Sequence, residues 1–235
     1  REGSVGANTS DVTGGSFMDL YITKRDKKGK WSEPTLVQGE GINTEGSEGG
    51  AVMNSRRNTM YFSRCKVEKN GYMGCKILSA KRQGMKFAAP VPIEISTDSF
   101  AVGHPALTND DKILIFASDI PGGQGGKDLW YSSYNKREKS WGTPVNLGPS
   151  VNTAGDDLFP YLDKDENLYF SSNGHIGLGG LDMFKAEKTA ENKWGKVANL
   201  QYPLNSAGDD YGIIFEKGTD QKGFFTSNRE GGKGK

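Results

Sequence analysis

The stretch "LYFSSNGHIGLGGLDMF", residues 168–184, decides the fold. Read alone, it sets Gly174, Gly177, Gly179 and Gly180 ahead of an aspartate and an apolar run. That is the outline of a loop whose backbone N–H groups cradle an anion, but a phosphate loop opens a helix at its end. Here the loop leads into "LDMF", a short β-type run, and the pattern recurs. "ASDIPGGQGGKDLW" at 117–130 and "TSNREGGKGK" at 226–235 are its counterparts, and Asp182 returns as Asp128 and Asp19. The stretch is therefore expected to be the hairpin between the second and third strands of a repeating unit, with its glycines serving the turn.

Working outward, the leading "LYFSSN" is matched by "MYFSR" at 60–64, "LIFASD" at 114–119 and "GFFTSN" at 223–228. The anchors Phe62, Phe116, Phe170 and Phe225 are separated by 54, 54 and 55 residues. "MDLY", "GCKI", "KDLW" and "LDMF" form a second ladder, in which Cys75-Lys76 stands where other repeats carry Asp-Leu or Asp-Met. A third contains "KWSEP", "KFAAP", "SWGTP" and "KWGKV". The fourth is "INTEGSE" at 42–48, "VNTAGDD" at 151–157 and "LNSAGDD" at 204–210, diverged to "ISTDSFAVGHP" at 95–105.

Each unit holds four short β-type runs parted by turn signals; in one they fall at 103–108, 112–118, 127–134 and 141–147. Four strands in about 54 residues predict an all-β protein, a β-propeller of four-stranded antiparallel blades. The repeats run approximately 1–63, 64–118, 119–172 and 173–227, with 228–235 starting another, all in one domain. "REG" at the start and "NREGGKGK" at the end occupy the same point of the repeat. The chain thus opens on the outer half of one blade and closes on the inner half of another. Joined, they make four blades; as a piece of a longer protein, the chain belongs to five or six.

Composition agrees. Among 235 residues there are 33 Gly, 11 Phe, 9 Tyr and 4 Trp, a turn-rich, aromatic-rich profile. The net charge of +1 is scattered, without the basic stripe that binding to nucleic acid requires. No apolar run approaches the length of a membrane span.

"ASDIPGGQGGKDLWY", "WGTPVNLGPSVNTAGDDLFPYL" and "PLNSAGDDYGIIF" resemble the WD40-like PD40 repeats of OmpA-family envelope proteins in Bacteroidota, a resemblance that covers essentially the whole chain and is most specific from about residue 98 onward. The resemblance implies a periplasmic, outer-membrane-associated setting and a component of a type IX secretion system. It implies secretion or envelope proteins as partners. Peptidoglycan would be gripped only through a domain that this chain does not contain. In such a compartment Cys65 and Cys75, side by side across a hairpin, are expected to form a disulfide. Two separate thiols on facing strands are the alternative.

Each candidate site also has a structural reading. Glu48, Asp157 and Asp210 enter innermost strands, where they line a channel mouth or hold the blade-to-blade turn through backbone N–H groups. Recurrence favours the turn, since catalysis needs one site. Phe159 and Tyr211 lie on the same strands and vary between repeats, which marks them as ligand candidates, while His104 lines an inner strand and is read as structural rather than catalytic. Asp163, Asp165 and Asn167 have the spacing of a calcium loop, but the sixth position is Leu168, so a hairpin turn is expected. Trp31, Phe87, Trp141 and Trp194 recur at one blade position and are expected between blades. His175 is expected to be exposed. No metal, cofactor or catalytic residue is expected. The overall expectation is a non-catalytic module binding protein or envelope polymer through Glu48, His104, Asp157, Phe159, Asp210 and Tyr211. The alternatives are a structural spacer between flanking domains and a propeller hydrolase or lyase.

Overall fold

The computed structural model describes residues 18–67, 73–95, 100–216, 219 and 221–231. Its described elements are all strands. β1 (Tyr21–Ile22) and β2 (Thr35–Leu36) pair as a two-stranded sheet. Blade one follows with β3 (Ser47–Met53), β4 (Thr59–Val67), β5 (Met73–Gln83), β6 (Lys86–Phe87) and β7 (Val91–Pro92). Blade two holds β8 (Val102–Leu107), β9 (Ile113–Ser118), β10 (Asp128–Asn135), β11 (Ser140–Trp141) and β12 (Val145–Asn146). Blade three is β13 (Asp157–Leu162), β14 (Leu168–Ser172), β15 (Asp182–Ala190) and β16 (Lys193–Asn199). β17 (Asp210–Phe215) and β18 (Gly223–Ser227) form a second two-stranded sheet.

This is a blade-based β-propeller. Each blade is antiparallel, with strands in sequence order from the axis outward, and in blades one and two the outermost position is split into two short pieces. In blade two the split falls at Gly142-Thr143-Pro144, where proline has no N–H to offer a ladder. The expected "NDDK" turn is there: Thr108 N–H donates to Ile113 O at 3.0 Å and Asp111 N–H to Thr108 O at 3.0 Å.

The repeating phenylalanines anchor the sheets. Phe62 pairs with Leu78, Phe116 with Trp130 and Phe170 with Phe184 across the second and third strands, and all three phenylalanines are fully buried. Burying each contributes about 1.5–3 kcal/mol. Between blades one and two, Ile77 packs with Val102, Leu114, Phe116 and Trp130; between two and three, Ile113, Ile115 and Leu129 meet Leu168 and Phe170. The register corrects one alignment made from sequence. Lys76 pairs with Arg64 as Asp128 pairs with Ser118, so Lys76, not Cys75, occupies the aspartate position of blade one.

The two half-sheets meet. Arg25 Nη1 lies 2.9 Å from Glu216 Oε1, and the Trp31 ring stands edge-on to Phe224 with centroids 5.7 Å apart. The inner pair β17–β18 and the outer pair β1–β2 thus complement one another as a fourth, mixed blade. The opening residues, the lysine-rich loop before Cys75 and part of "ISTDSFAVGHP" lie outside the described residues.

All four inner strands carry an irregularity at one place, which the sequence reading did not anticipate. The register shifts between Gly49 and Val52, Gly103 and Ala106, Leu158 and Tyr161, and Tyr211 and Ile214. At each bulge one residue adopts a left-handed conformation: Gly50 (φ 50°), His104 (54°), Phe159 (53°) and Gly212 (67°). The bulge aims three of these positions toward the next inner strand: a Cβ at Gly50 would lie 3.2 Å from His104 Cα, His104 stacks on Phe159, and Phe159 stacks on Tyr211.

Candidate functional site

The carboxylates expected at the channel mouth are buried and engaged. Asp157 Oδ2 accepts from Thr153 N (2.6 Å) and Oγ1 (3.0 Å); Asp210 Oδ2 does the same with Ser206 N (2.6 Å) and Oγ (2.7 Å). Glu48 accepts from Thr44 Oγ1 at 2.6 Å and pairs with Arg64 at 2.7 Å; Asp210 pairs with Arg229 at 2.6 Å. The preceding aspartates have a separate task. Asp156 receives Lys127 N–H at 2.8 Å and Asp209 receives Leu181 N–H at 2.9 Å, both from the blade before. These acids therefore close turns and link blades. Burial pushes the Asp157 carboxyl up, whereas hydrogen bonds from Ser227, Arg229 and Ser206 outweigh the burial of Asp210 and hold it down.

The asparagine of the same motif, recurring in "INT", "VNT" and "LNS", has a role that the sequence pattern does not reveal. Asn152 Oδ1 accepts from Leu129 N (2.8 Å) while its Nδ2 donates to Leu129 O (2.9 Å). Asn205 grips Met183 in the same way at 2.8 and 2.9 Å, and Asn43 grips Leu20 at 2.8 and 3.2 Å. A side-chain amide here imitates a neighbouring strand.

The glycine loop also reads differently. None of Gly174, Gly177, Gly179 and Gly180 has a positive φ. What they lack is room. A Cβ at Gly179 would lie 2.1 Å from Gly208 O, one at Gly174 2.0 Å from Thr153 Oγ1, and one at Gly180 2.2 Å from Asp209 Oδ1. The loop nests against the turns that flank its blade, so close approach, not turn geometry, selects glycine. His175, expected to be exposed, is packed against Phe170 and Phe184, with its Nε2 2.8 Å from Val151 O. Arg229 binds the equivalent Leu204 O at 2.6 Å and Arg64 binds Ile42 O at 3.1 Å, so a histidine and two arginines cap one repeating carbonyl.

His104, Phe159 and Tyr211 come together as a column of rings. His104 stacks on Phe159 with centroids 3.9 Å apart and Phe159 on Tyr211 at 4.8 Å. His104 N–H donates to Ser63 Oγ at 2.7 Å, and its Nδ1 faces Phe159 N–H at 3.4 Å. Burial, with a smaller effect from Lys127, lowers the His104 pKa to about 4, so the ring is neutral at pH 7. The column runs from blade two through blade three to the mixed blade.

Asp163 accepts from Asp165 N, Asn167 N and Asn167 Nδ2, each at 2.9 Å, which makes "DKDEN" a side-chain-braced turn. Among the described residues no cluster of His, Cys, Asp or Glu is arranged to hold a metal ion. Trp141 meets Tyr61 of the neighbouring blade at 6.1 Å, while Trp194 donates to Glu166 O at 3.0 Å within its own. Cys65 and Cys75, directly opposite across β4 and β5, are joined as a disulfide.

An open cleft lies at the hairpin end of the ring, between blades two and three. It has a volume of about 440 Å³ and is lined by Asp110, Lys112, Tyr134, Glu166, Lys188 and Glu191 among others. A hydrogen bond from Lys112 dominates in lowering the Asp110 pKa to about 2, and Lys112 also feels Glu191. Glu166 is held by Asn109 N–H at 2.8 Å and by an ion pair with Lys188. None of these lining residues was singled out as a site in the sequence, because "NDDK" and "DKDEN" read as turns.

No family model matches the chain, and no curated protein does. Solved structures do. A puromycin hydrolase is 14% identical with a TM-score of 0.47, covering 80% of this chain and 28% of its own. A luciferin-regenerating enzyme is 12% identical with a TM-score of 0.50, covering 84% of this chain and 60% of that one. An endo-arabinase from Bacteroides thetaiotaomicron is 11% identical with a TM-score of 0.48, covering 94% and 96%. The chain thus spans less than two thirds of the first two. At such identities the likeness concerns the fold. It nonetheless corrects the expectation of a non-catalytic binding module: the luciferin-regenerating enzyme shares this fold at a TM-score of 0.50, so a repeating propeller sequence gives no ground for excluding catalysis. Repetition records the scaffold, while chemistry sits on a few diverged side chains.

Proposed function

We propose that the chain is a propeller hydrolase that cleaves glycosidic bonds of a polar, uncharged saccharide in the cleft between blades two and three. The observation that supports this reading is the cleft lining itself, which gathers Asp110 and Glu191, both acting on Lys112, with Tyr134 in one opening. A carboxylate with a pKa near 2 is a weak base but remains ionised throughout, which suits it to stabilise positive charge developing on a sugar ring. Peptide hydrolysis develops negative charge, for which an ionised carboxylate is the wrong partner. Glu191, which is exposed, is the group assigned to deliver the proton to the leaving oxygen, since Asp110 is held ionised by Lys112 and Thr108 and Glu166 is engaged by Asn109 and Lys188. The Cys65–Cys75 bond supports an oxidising compartment, consistent with the periplasm of an envelope-resident protein.

The test is release of reducing ends from a panel of neutral polysaccharides and aryl glycosides by the purified chain. Asp110→Asn and Glu191→Gln are expected to lower kcat by at least about a hundredfold with the fold intact. Absence of turnover across the panel, or turnover indifferent to both substitutions, overturns the assignment.

A further inference from the structure

The β3–β4, β8–β9 and β13–β14 turns share one backbone and differ in charge. Each closes with the same bond: Arg57 N–H to Asn54 O (2.8 Å), Asp111 N–H to Thr108 O (3.0 Å) and Glu166 N–H to Asp163 O (3.0 Å). Arg57, Asp111 and Glu166 all have a left-handed backbone, with φ of 53°, 60° and 60°. In blades two and three this residue is an acid that grips the turn of the blade before. Asp111 accepts from Ser55 N (2.8 Å) and Oγ (2.6 Å), and Glu166 from Asn109 N (2.8 Å). A guanidinium has no acceptor, so Arg57 cannot make the equivalent bond. Blade one thus carries Arg56-Arg57 where the other two carry Asp110-Asp111 and Asp165-Glu166, a reversal of charge that the shared backbone does not require.

The strand alongside continues the positive charge. Lys81 pairs with Thr59, Arg82 N–H donates to Asn58 O at 2.8 Å, and Lys86 lies opposite Gln83. Arg56, Arg57, Lys81, Arg82 and Lys86 are all exposed, and among the described residues none of them stands in an ion pair. Segments 54–58 and 81–86 contain no carboxylate, whereas the matching segments of blade two, 108–112 and 133–140, contain Asp110, Asp111 and Glu138. Asp111, which reaches this turn from blade two, is taken up by Ser55. At the tip between Arg82 and Lys86, Met85 is 71% exposed.

We infer that this end of blade one docks on a phosphate-bearing, anionic lipid surface. Cations free of ion pairs are each drawn to such a surface, and their attractions add. The arginine fork also matches the geometry of a phosphate group. Met85 decides between a lipid surface and a soluble polyanion. An unbranched apolar side chain at the tip of a cationic turn is stabilised by entering the acyl layer beneath the headgroups, and a hydrated polyanion offers no such interior. None of these residues lines the cleft between blades two and three, so the two assignments stand or fall separately.

The test is co-sedimentation of the whole chain with vesicles of phosphatidylglycerol and phosphatidylcholine in equal parts, with pure phosphatidylcholine as the control. Binding to the mixed vesicles alone is expected, and it should weaken as salt is added. Arg56→Asp with Arg57→Asp installs the pair that blade two already holds on this backbone, and should weaken binding at least about tenfold. Lys81→Ser with Arg82→Tyr copies Ser133 and Tyr134 of blade two and should do the same. Melting curves establish that each double variant is folded, and if one is not, the other carries the test. Met85→Ser should weaken vesicle binding at least about threefold and leave retention on heparin unchanged. No vesicle binding by the parent chain, equal binding to pure phosphatidylcholine, or binding unchanged in a folded double variant overturns the inference. So does vesicle binding indifferent to Met85→Ser, which would identify a soluble polyanion as the ligand.

Discussion

The His104 and Phe159 rings lie face to face, their centroids 3.9 Å apart and their planes 18° from parallel, although they belong to different blades. The contact requires both residues to sit in a left-handed bulge, a conformation that side chains rarely adopt. It also requires the imidazole to be neutral, since its Nδ1 faces the Phe159 N–H.

A pH dependence follows. The His104 pKa falls from 6.5 to about 4 on folding, so the unfolded chain binds more protons between those values. Its contribution is complete above pH 6.5 and is lost as the pH falls toward 4, amounting to roughly 3 kcal/mol. Asp157 acts in the opposite sense: its raised pKa makes the folded state the better proton binder, so its ionisation costs stability as the pH rises above 3.8. Urea denaturation from pH 4 to 7 should show stability rising with pH in the parent chain. The slope should flatten in His104→Phe.

The asparagine clamps predict substantial single losses. Asn152→Ala leaves the buried Leu129 N–H without its partner, while Leu129 O keeps the Leu147 N–H at 3.0 Å. One unsatisfied buried group costs about 1–3 kcal/mol, and a loss of that size is expected. Asn205→Ala, at Met183, should behave alike. Chemical denaturation measures both, and a loss under 1 kcal/mol would mean that water replaces the amide.

Period, strand order and anchor phenylalanines were legible in the sequence because the hydrophobic pattern and the repeat carry them directly. Phe62, Phe116 and Phe170 are each fully buried, as a repeated aromatic in a blade should be. The bulges were not legible, since Gly50, His104, Phe159 and Gly212 share a backbone conformation but no side-chain chemistry. Nor was the role of the loop glycines, because a glycine demanded by a neighbour's carbonyl looks in sequence like one demanded by φ. The cleft was hidden for a related reason. Asp110 and Glu166 lie in two hairpin turns 56 residues apart, and only the seating of adjacent blades brings them to one opening.

Loop nesting is testable by adding one methyl group. Gly179→Ala places a Cβ 2.1 Å from Gly208 O, a backbone atom that moves only if the turn between blades moves. A loss of about 1–3 kcal/mol is expected, the usual cost of overpacking. Gly49→Ala, with nothing within 4 Å, is the control and should be close to neutral. Equal losses at the two sites in thermal melts would refute close approach as the reason for the loop's composition.

The mixed blade is the remaining weak point, and its two contacts differ in kind. Arg25 and Glu216 are both substantially exposed, so charge reversal at either should change stability by no more than about 1 kcal/mol, less in high salt. Trp31 against Phe224 is an edge-to-face pair whose coupling should be about 0.5–1.5 kcal/mol in a double-mutant cycle. Phe225 is 38% exposed, whereas Phe170 at the equivalent place in blade three is 0% exposed, so this blade has less buried surface to hold it shut. Trp31→Ala should therefore raise amide exchange first in β17 and β18, before exchange in blades two and three changes. Uniform exchange across all blades would show that the ring opens as one unit and that the mixed blade is not its clasp.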